Sequence, residues 1–249
     1  MLTAGVDLAA ESRGTALAVI DWQGQAASLR ELHLGVADAQ IAESAGTVDK
    51  LGIDCALGWP DEFVQFVTAH ATGDNRSVRV DGGMDWRRTL AYRETDREVR
   101  RLTGRWPLSV STDRLGLTAM RCAGLLGRIE ETGVPVDRSG SGVVVEVYPG
   151  ASLRLWGLPT AGYRADPRSR SLLLLALREA APWLELEGHS DLMIRSADAL
   201  DAVIAALAAR NAALGGYEAP PPPLVDRARR EGWIALPSGR LADLVSQAT

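Results

Sequence analysis

Residues 2–36 read LTAGVDLAAESRGTALAVIDWQGQAASLRELHLGV. Three apolar runs lie in this stretch, at 2–8, 15–21 and 27–36, and the third alternates apolar and polar side chains as a half-buried strand does. Short connections carrying Gly14 and Gly24 join them. Strands joined this tightly pair with their neighbours, so the stretch predicts a three-stranded antiparallel meander. "KLGIDCALG" (50–58) reads as a fourth strand, and "GVVVEVYPG" (142–150) as a fifth that stops at Pro149.

Helical patterns fill most of the remainder. "ADAQIAESAG" (37–46) reads as a short helix ended by Gly46. Between the fourth and fifth strands, "DEFVQFVTAHATG" (61–73), "ETDREVRRLTG" (94–104) and "STDRLGLTAMRCAGLLGRIEETG" (111–133) each end on glycine, as helices do, and 72–85 reads as a Gly- and Asp-rich loop. Helices near 169–181 and 197–214 follow the fifth strand. "EAPPPPL" (218–224) is stiff and non-helical, and "GWIALP" (232–237) reads as an edge strand or a docked turn. No repeat or long linker divides the chain. The expectation is therefore one α/β domain over 1–249: a five-stranded mixed sheet of order 3-2-1-4-5 flanked by helices. A helical insertion occupies about 61–133, and a Pro-rich segment and tail occupy 219–249. Right-handed crossovers then run strands 1, 4 and 5 parallel.

Composition narrows the chemistry. Nearly half of the 249 residues are apolar and about a quarter charged, as in ordinary globular proteins. The N-terminus lacks the basic and apolar pattern of a secretory signal. No stretch approaches the ~20 apolar residues of a membrane helix. Cys55 and Cys122 sit in apolar surroundings and read as reduced core thiols, which points to the cytoplasm. Lys50 is the only lysine. No Gly-Lys pair exists for a Walker A loop, and G-x-G-x-x-G and G-x-S-x-G are both absent. His33, His70 and His189 lack metal-ligand spacing, and His189 reads as a loop residue ahead of a helix. Carboxylates remain as the chemical groups.

Five of them lie inside the most apolar segments: Asp7, Asp54 and Glu146 on the strands, and Asp198 and Asp201 in "DALDAVIAALAAR". An ionised carboxylate among core residues is costly without a compensating partner. The three strand acids lie late in strands 1, 4 and 5, where α/β sheets place their sites. Asp198 and Asp201 are three apart and share a helix face. Small alanines keep that helix slim enough to lie close to the sheet. Each acid has a plainer reading: a solvated strand face, or for Asp198 a helix first turn capped by Ser196. Together they point to a shared site. Oxygen-only ligands favour Mg²⁺ or Mn²⁺ over zinc, and two such ions about 4 Å apart serve phosphodiester hydrolysis.

The stretch 87–105 holds seven arginines against Glu94, Asp96 and Glu98 in a chain whose net charge is −5. A basic patch on an acidic protein holds phosphates without coating every polyanion. Arg93 and Arg97 are the candidate substrate contacts, and the alternative is a salt-bridged, solvated helix face.

"GVDLA", "GIDCALG" and "DALDAVIAAL" resemble the RNase H-like superfamily, and the acidic helix resembles that of RuvC-type junction resolvases. More closely, "VDLAA", "GIDCALGWP", "YRETDREVR", "VVVEVYPGASLRLWG" and "DALDAVIAALAAR" resemble domain of unknown function 429, a family of predicted RNase H-like nucleases. The resemblance spans nearly the whole chain. It implies a metal-dependent nuclease with a nucleic acid or nucleotide substrate and two Mg²⁺ or Mn²⁺ ions. It implies Asp7, Asp54 and Asp201 as metal ligands, with Glu146 and Asp198 joining the site. Glu146 is then either a ligand peculiar to the family or an acceptor behind the ligands. Two other classes remain open: an actin-like or sugar-kinase-type phosphotransferase, and a non-catalytic binding module. Homo-oligomers and protein partners are left undetermined.

Overall fold

The computed structural model describes residues 1–74, 82–186 and 188–245. The chain runs β1 (Leu2–Asp7), β2 (Ala16–Gln23), β3 (Ala26–Leu34), α1 (Asp38–Ala45) and β4 (Lys50–Asp54). Four helices follow: α2 (Asp61–Ala71), α3 (Gly83–Ala91), α4 (Glu94–Thr103) and α5 (Gly116–Glu131). Then come β5 (Val144–Glu146), α6 (Pro149–Leu155), α7 (Pro167–Ala180), β6 (Leu184–Glu185), α8 (Ser190–Arg195), α9 (Ala197–Ala213) and α10 (Val225–Glu231).

The protein is α/β, with one six-stranded mixed sheet of order β5-β4-β1-β2-β3-β6. β1, β2 and β3 pair antiparallel, while β4 runs parallel to both β1 and β5. The expected count of five strands is corrected to six. β6 adds two residues parallel to β3, Leu184 beside Ala27 and Glu185 beside Ser28, too few to carry a period-2 signal. "GWIALP" makes two isolated bridges, a parallel one of Ile234 with Glu146 and an antiparallel one of Pro237 with Tyr217. α3 begins inside the expected 72–85 loop, of which 75–81 lie outside the described residues. The short helices α6, α8 and α10 carry no apolar period and were not expected.

Apolar side chains sandwich the sheet. On one face Ala4, Val6, Leu51, Ile53 and Val144 pack with Ile41 of α1 and Leu125 and Ile129 of α5. On the other, Ala16, Ala18 and Ile20 meet Leu173 and Leu177 of α7 and Leu200 and Ile204 of α9. α9 is buried almost all round, as a helix rich in apolar residues on every side must be.

The contact between α9 and the sheet sets up the site. Gly5 and Gly52 are register partners on β1 and β4. A Cβ built on Gly5 would fall 2.1 Å from the Ala206 nitrogen, and one on Gly52 would fall 2.7 Å from the Ala205 carbonyl oxygen. Glycine at both positions lets α9 lie against the strand backbones. Two residues on, on the same face, stand Asp7 and Asp54, again register partners.

Candidate functional site

Each strand acid is delivered by its strand's last position. Asp7 and Asp54 end β1 and β4 side by side, facing α9. α9 starts where the Ser196 hydroxyl accepts the Ala199 amide at 3.1 Å, the N-cap that its sequence indicates. Packed against the strand backbones, α9 brings buried Asp201 beside the two strand ends. Asp198, in the first turn of α9, is half-buried, and its charge acts on Asp7 and Asp201.

Burial first, and like charge second, make these carboxylates hard to ionise together. Burial, then the charges of Asp54, Asp201 and Asp198, push the Asp7 carboxyl up to about 9. Burial, then Asp201, push Asp54 up to about 8. Burial also raises Asp201, but only to about 6, because Arg164 and Tyr163 hold it down. Desolvation leads in all three, with like-charge repulsion adding to it.

Arg164 and Tyr163 have no counterpart in the sequence reading. The Tyr163 hydroxyl donates to Asp201 Oδ1 at 2.8 Å. Arg164 Nη2 lies 2.9 Å from Asp201 Oδ2 and 3.6 Å from Asp54 Oδ2, and its Nε donates to the Tyr163 oxygen at 3.2 Å. Both residues sit on the loop before α7. Buried Arg170 ties that loop down: its guanidinium donates to the Tyr163 carbonyl at 2.8 Å and to the Ile194 carbonyl at 2.6 Å. One side chain thus fixes the loop to the segment that leads into α9. A Tyr-Arg pair in a polar loop carries no motif, so no sequence signal marked it.

Glu146 is placed differently. By strand alternation it shares the face of Val144, which packs on the α5 side, whereas Asp7 and Asp54 face α9. Its two oxygens accept a fork from Arg93, Nη2 to Oε1 at 2.7 Å and Nη1 to Oε2 at 2.8 Å, and Oε2 also accepts the Leu57 amide at 3.0 Å. Burial raises its carboxyl while Arg93 opposes the rise. The strand acid with which the sequence presents a puzzle therefore has a cationic partner.

Arg93 in turn is buried, paired on its other side with Asp96 at 2.9 Å, and donates to the Glu231 carbonyl at 3.0 Å. Its donors are committed within the protein. Arg97 faces Glu94 at 3.5 Å and lines a separate depression with Glu98, Arg101 and Trp233. Neither arginine presents a free fork to the aspartates.

Asp7, Asp54, Glu146, Arg93 and Arg164 all border one cavity of about 170 Å³. Pro107, Leu108, Leu115 and Thr118, from the segment between β4 and β5, form its other wall. Among the described residues, no three His, Cys, Asp or Glu side chains are set closely enough to hold a metal ion as they stand. The donor chemistry nevertheless fits a hard divalent cation. Asp7, Asp54 and Asp201 are oxygen donors raised first by burial and then by like charge that Arg164 offsets only in part.

No helix among the described residues is long and apolar enough to cross a membrane. A family model described as Protein of unknown function (DUF429) matches residues 5–227. No curated protein and no solved structure matches the chain.

Proposed function

The chain belongs to the DUF429 family, and for the site within the matched region we propose a phosphodiester hydrolase of RNase H-like type acting on nucleic acid with Mg²⁺ or Mn²⁺. The observation that carries this reading is the convergence of buried Asp7, Asp54 and Asp201 at the strand ends, close enough for burial and mutual repulsion to raise all three. The strand run β5-β4-β1-β2-β3 inside the sheet supports an RNase H-like core, to which β6 is an addition.

In this reading Asp7, Asp54 and Asp201 hold the cations, and Asp198 adds charge. Bound Mg²⁺ or Mn²⁺ supplies Lewis-acid polarisation of water and of the phosphoryl oxygens. The protein's own groups do the positioning. The Tyr163 hydroxyl, kept protonated by burial and by the Asp201 charge, orients Asp201. Arg164 neutralises Asp201 and Asp54 before loading. Glu146 and Arg93 form the buried wall behind the site and hold the Leu57 backbone in place. The wall formed by 107–118 narrows the cavity and favours a single strand over a duplex.

The test is Mn²⁺-dependent cleavage of single-stranded oligonucleotides and of a chromogenic phosphodiester. Wild type should cleave at least one. Asp7→Asn, which keeps the side chain's shape, should lose activity by about a hundredfold or more. Equal rates for the two proteins would end the proposal.

A further inference from the structure

Next to the aspartate cavity lies a second depression, of about 290 Å³, lined by Tyr148, Gly150, Arg154, Thr160, Gly162, Tyr163, Arg164 and Ala165. Tyr148 and Arg164 border both cavities, so the two adjoin. The side chain of Arg154, half-buried on α6, has no hydrogen-bond or ion-pair partner among the described residues. It contrasts with Arg93, Arg97 and Arg101, whose guanidinium groups face carboxylates. A guanidinium fork suits a phosphate.

We propose that Arg154 and Arg164 form an anion subsite that takes the phosphate neighbouring the one at the aspartates. The substrate class is then a single-stranded polynucleotide with at least two consecutive phosphodiesters, rather than a mononucleotide. The inference rests on the reading of the aspartates as a cation site. Arg164 has two stations within reach. Its side chain is 56% exposed and bonds Asp201 from the cavity rim. With Asp201 engaged by a divalent cation, the Arg164 guanidinium would lose that partner and would be free to join Arg154 in the adjoining depression, which it already lines. Tyr148, between the two cavities, offers a ring against which a base stacks.

Two binding measurements test this without catalysis. Mn²⁺ affinity is measured by calorimetry. Affinity for a fluorescein-labelled single-stranded DNA octamer is measured by anisotropy across a salt series, with Ca²⁺ as the cation. Arg154→Ala should bind the octamer about tenfold more weakly, as for loss of a charged hydrogen bond. Its log–log salt slope should be shallower by about 0.7, as for one lost single-strand phosphate contact. Its Mn²⁺ affinity should match wild type, and Arg154→Lys should recover part of the octamer binding. Arg164→Gln should move the two affinities in opposite directions, tightening Mn²⁺ and weakening the octamer, which a merely structural residue would not do. Unchanged octamer binding and slope in Arg154→Ala would overturn the subsite, as would a loss of both affinities in a folded Arg164→Gln. Wild type that binds Mn²⁺ but no octamer would also overturn the subsite while leaving the cation site standing. Wild type that binds the octamer through Arg154 but no Mn²⁺ would overturn the cation site, and with it the placing of the subsite beside a phosphate at the aspartates.

Discussion

At the scale of single residues, the site depends on how each buried charge is answered. Glu146 and Arg93 answer each other through a two-pronged, fully buried pair. Removing one member strands the other, which costs about 3–5 kcal/mol. Arg93→Ala should therefore lower stability by that amount in denaturant unfolding, and adding Glu146→Leu should restore part of it. Strict additivity of the two changes would show that the pair is not coupled. The three aspartates lack such an answer, since Arg164 alone serves Asp201 and, more distantly, Asp54. Asp7, Asp54 and Asp201 were legible as acids in apolar runs, and their grouping followed from strand order. The partner of Glu146 was not legible. Arg93 belongs to a run of alternating charges that reads as a solvated helix face, and only the tertiary fold buries it. Tyr163 and Arg164 gave no signal at all, because loop residues show no periodicity.

At the scale of elements, the approach of α9 to β1 and β4 decides whether Asp201 reaches Asp7. The close contact rests on glycine, since a Cβ on Gly5 would collide with the backbone of α9, which cannot yield as a flexible side chain does. Gly5→Ala should cost about 3 kcal/mol, at the upper end for overpacking, and should weaken Mn²⁺ binding by moving Asp201 away. Gly24→Ala, in an open hairpin turn with φ of +61°, should affect stability through backbone strain alone and leave Mn²⁺ binding unchanged. Calorimetry on both variants separates the two effects. The β1–β4 strands and α9 were readable because they carry strong apolar patterns over five or more residues. β6, with two residues, and the six-residue α8 fall below the length at which a period declares itself.

At the scale of the whole molecule, the segment between β4 and β5 is fastened to the C-terminal part through Glu231. This buried carboxylate accepts the Asp61 amide at 2.8 Å and the Glu94 amide at 3.0 Å, the first residues of α2 and α4. One side chain thereby serves the N-termini of two helices, where negative charge is favoured. In sequence it is an ordinary member of "DRARREGW", so its role was invisible there. Glu231→Ala should cost about 2–4 kcal/mol, from the loss of two charge-assisted hydrogen bonds. Amide exchange should rise at the starts of α2 and α4 while α9 stays protected. Uniform loss of protection across the sheet would contradict this local fastening.

The central claim, that Asp7, Asp54 and Asp201 form a cation site, is tested most directly by thermal unfolding between pH 5 and 9, with and without Mn²⁺. Burial and mutual repulsion push the three carboxyls up to about 9, 8 and 6 in the folded protein, against about 4 unfolded. Over this range the native state binds more protons than the unfolded state, so metal-free stability must fall as pH rises from about 5 toward 9. At a cation site Mn²⁺ would bind the deprotonated carboxylates, so its stabilisation should grow over the same range and oppose the fall. Asp7→Asn should lessen both the metal-free fall and the Mn²⁺ response. A metal-free melting temperature flat from pH 5 to 9, or a Mn²⁺ shift equal in wild type and Asp7→Asn, would contradict the account.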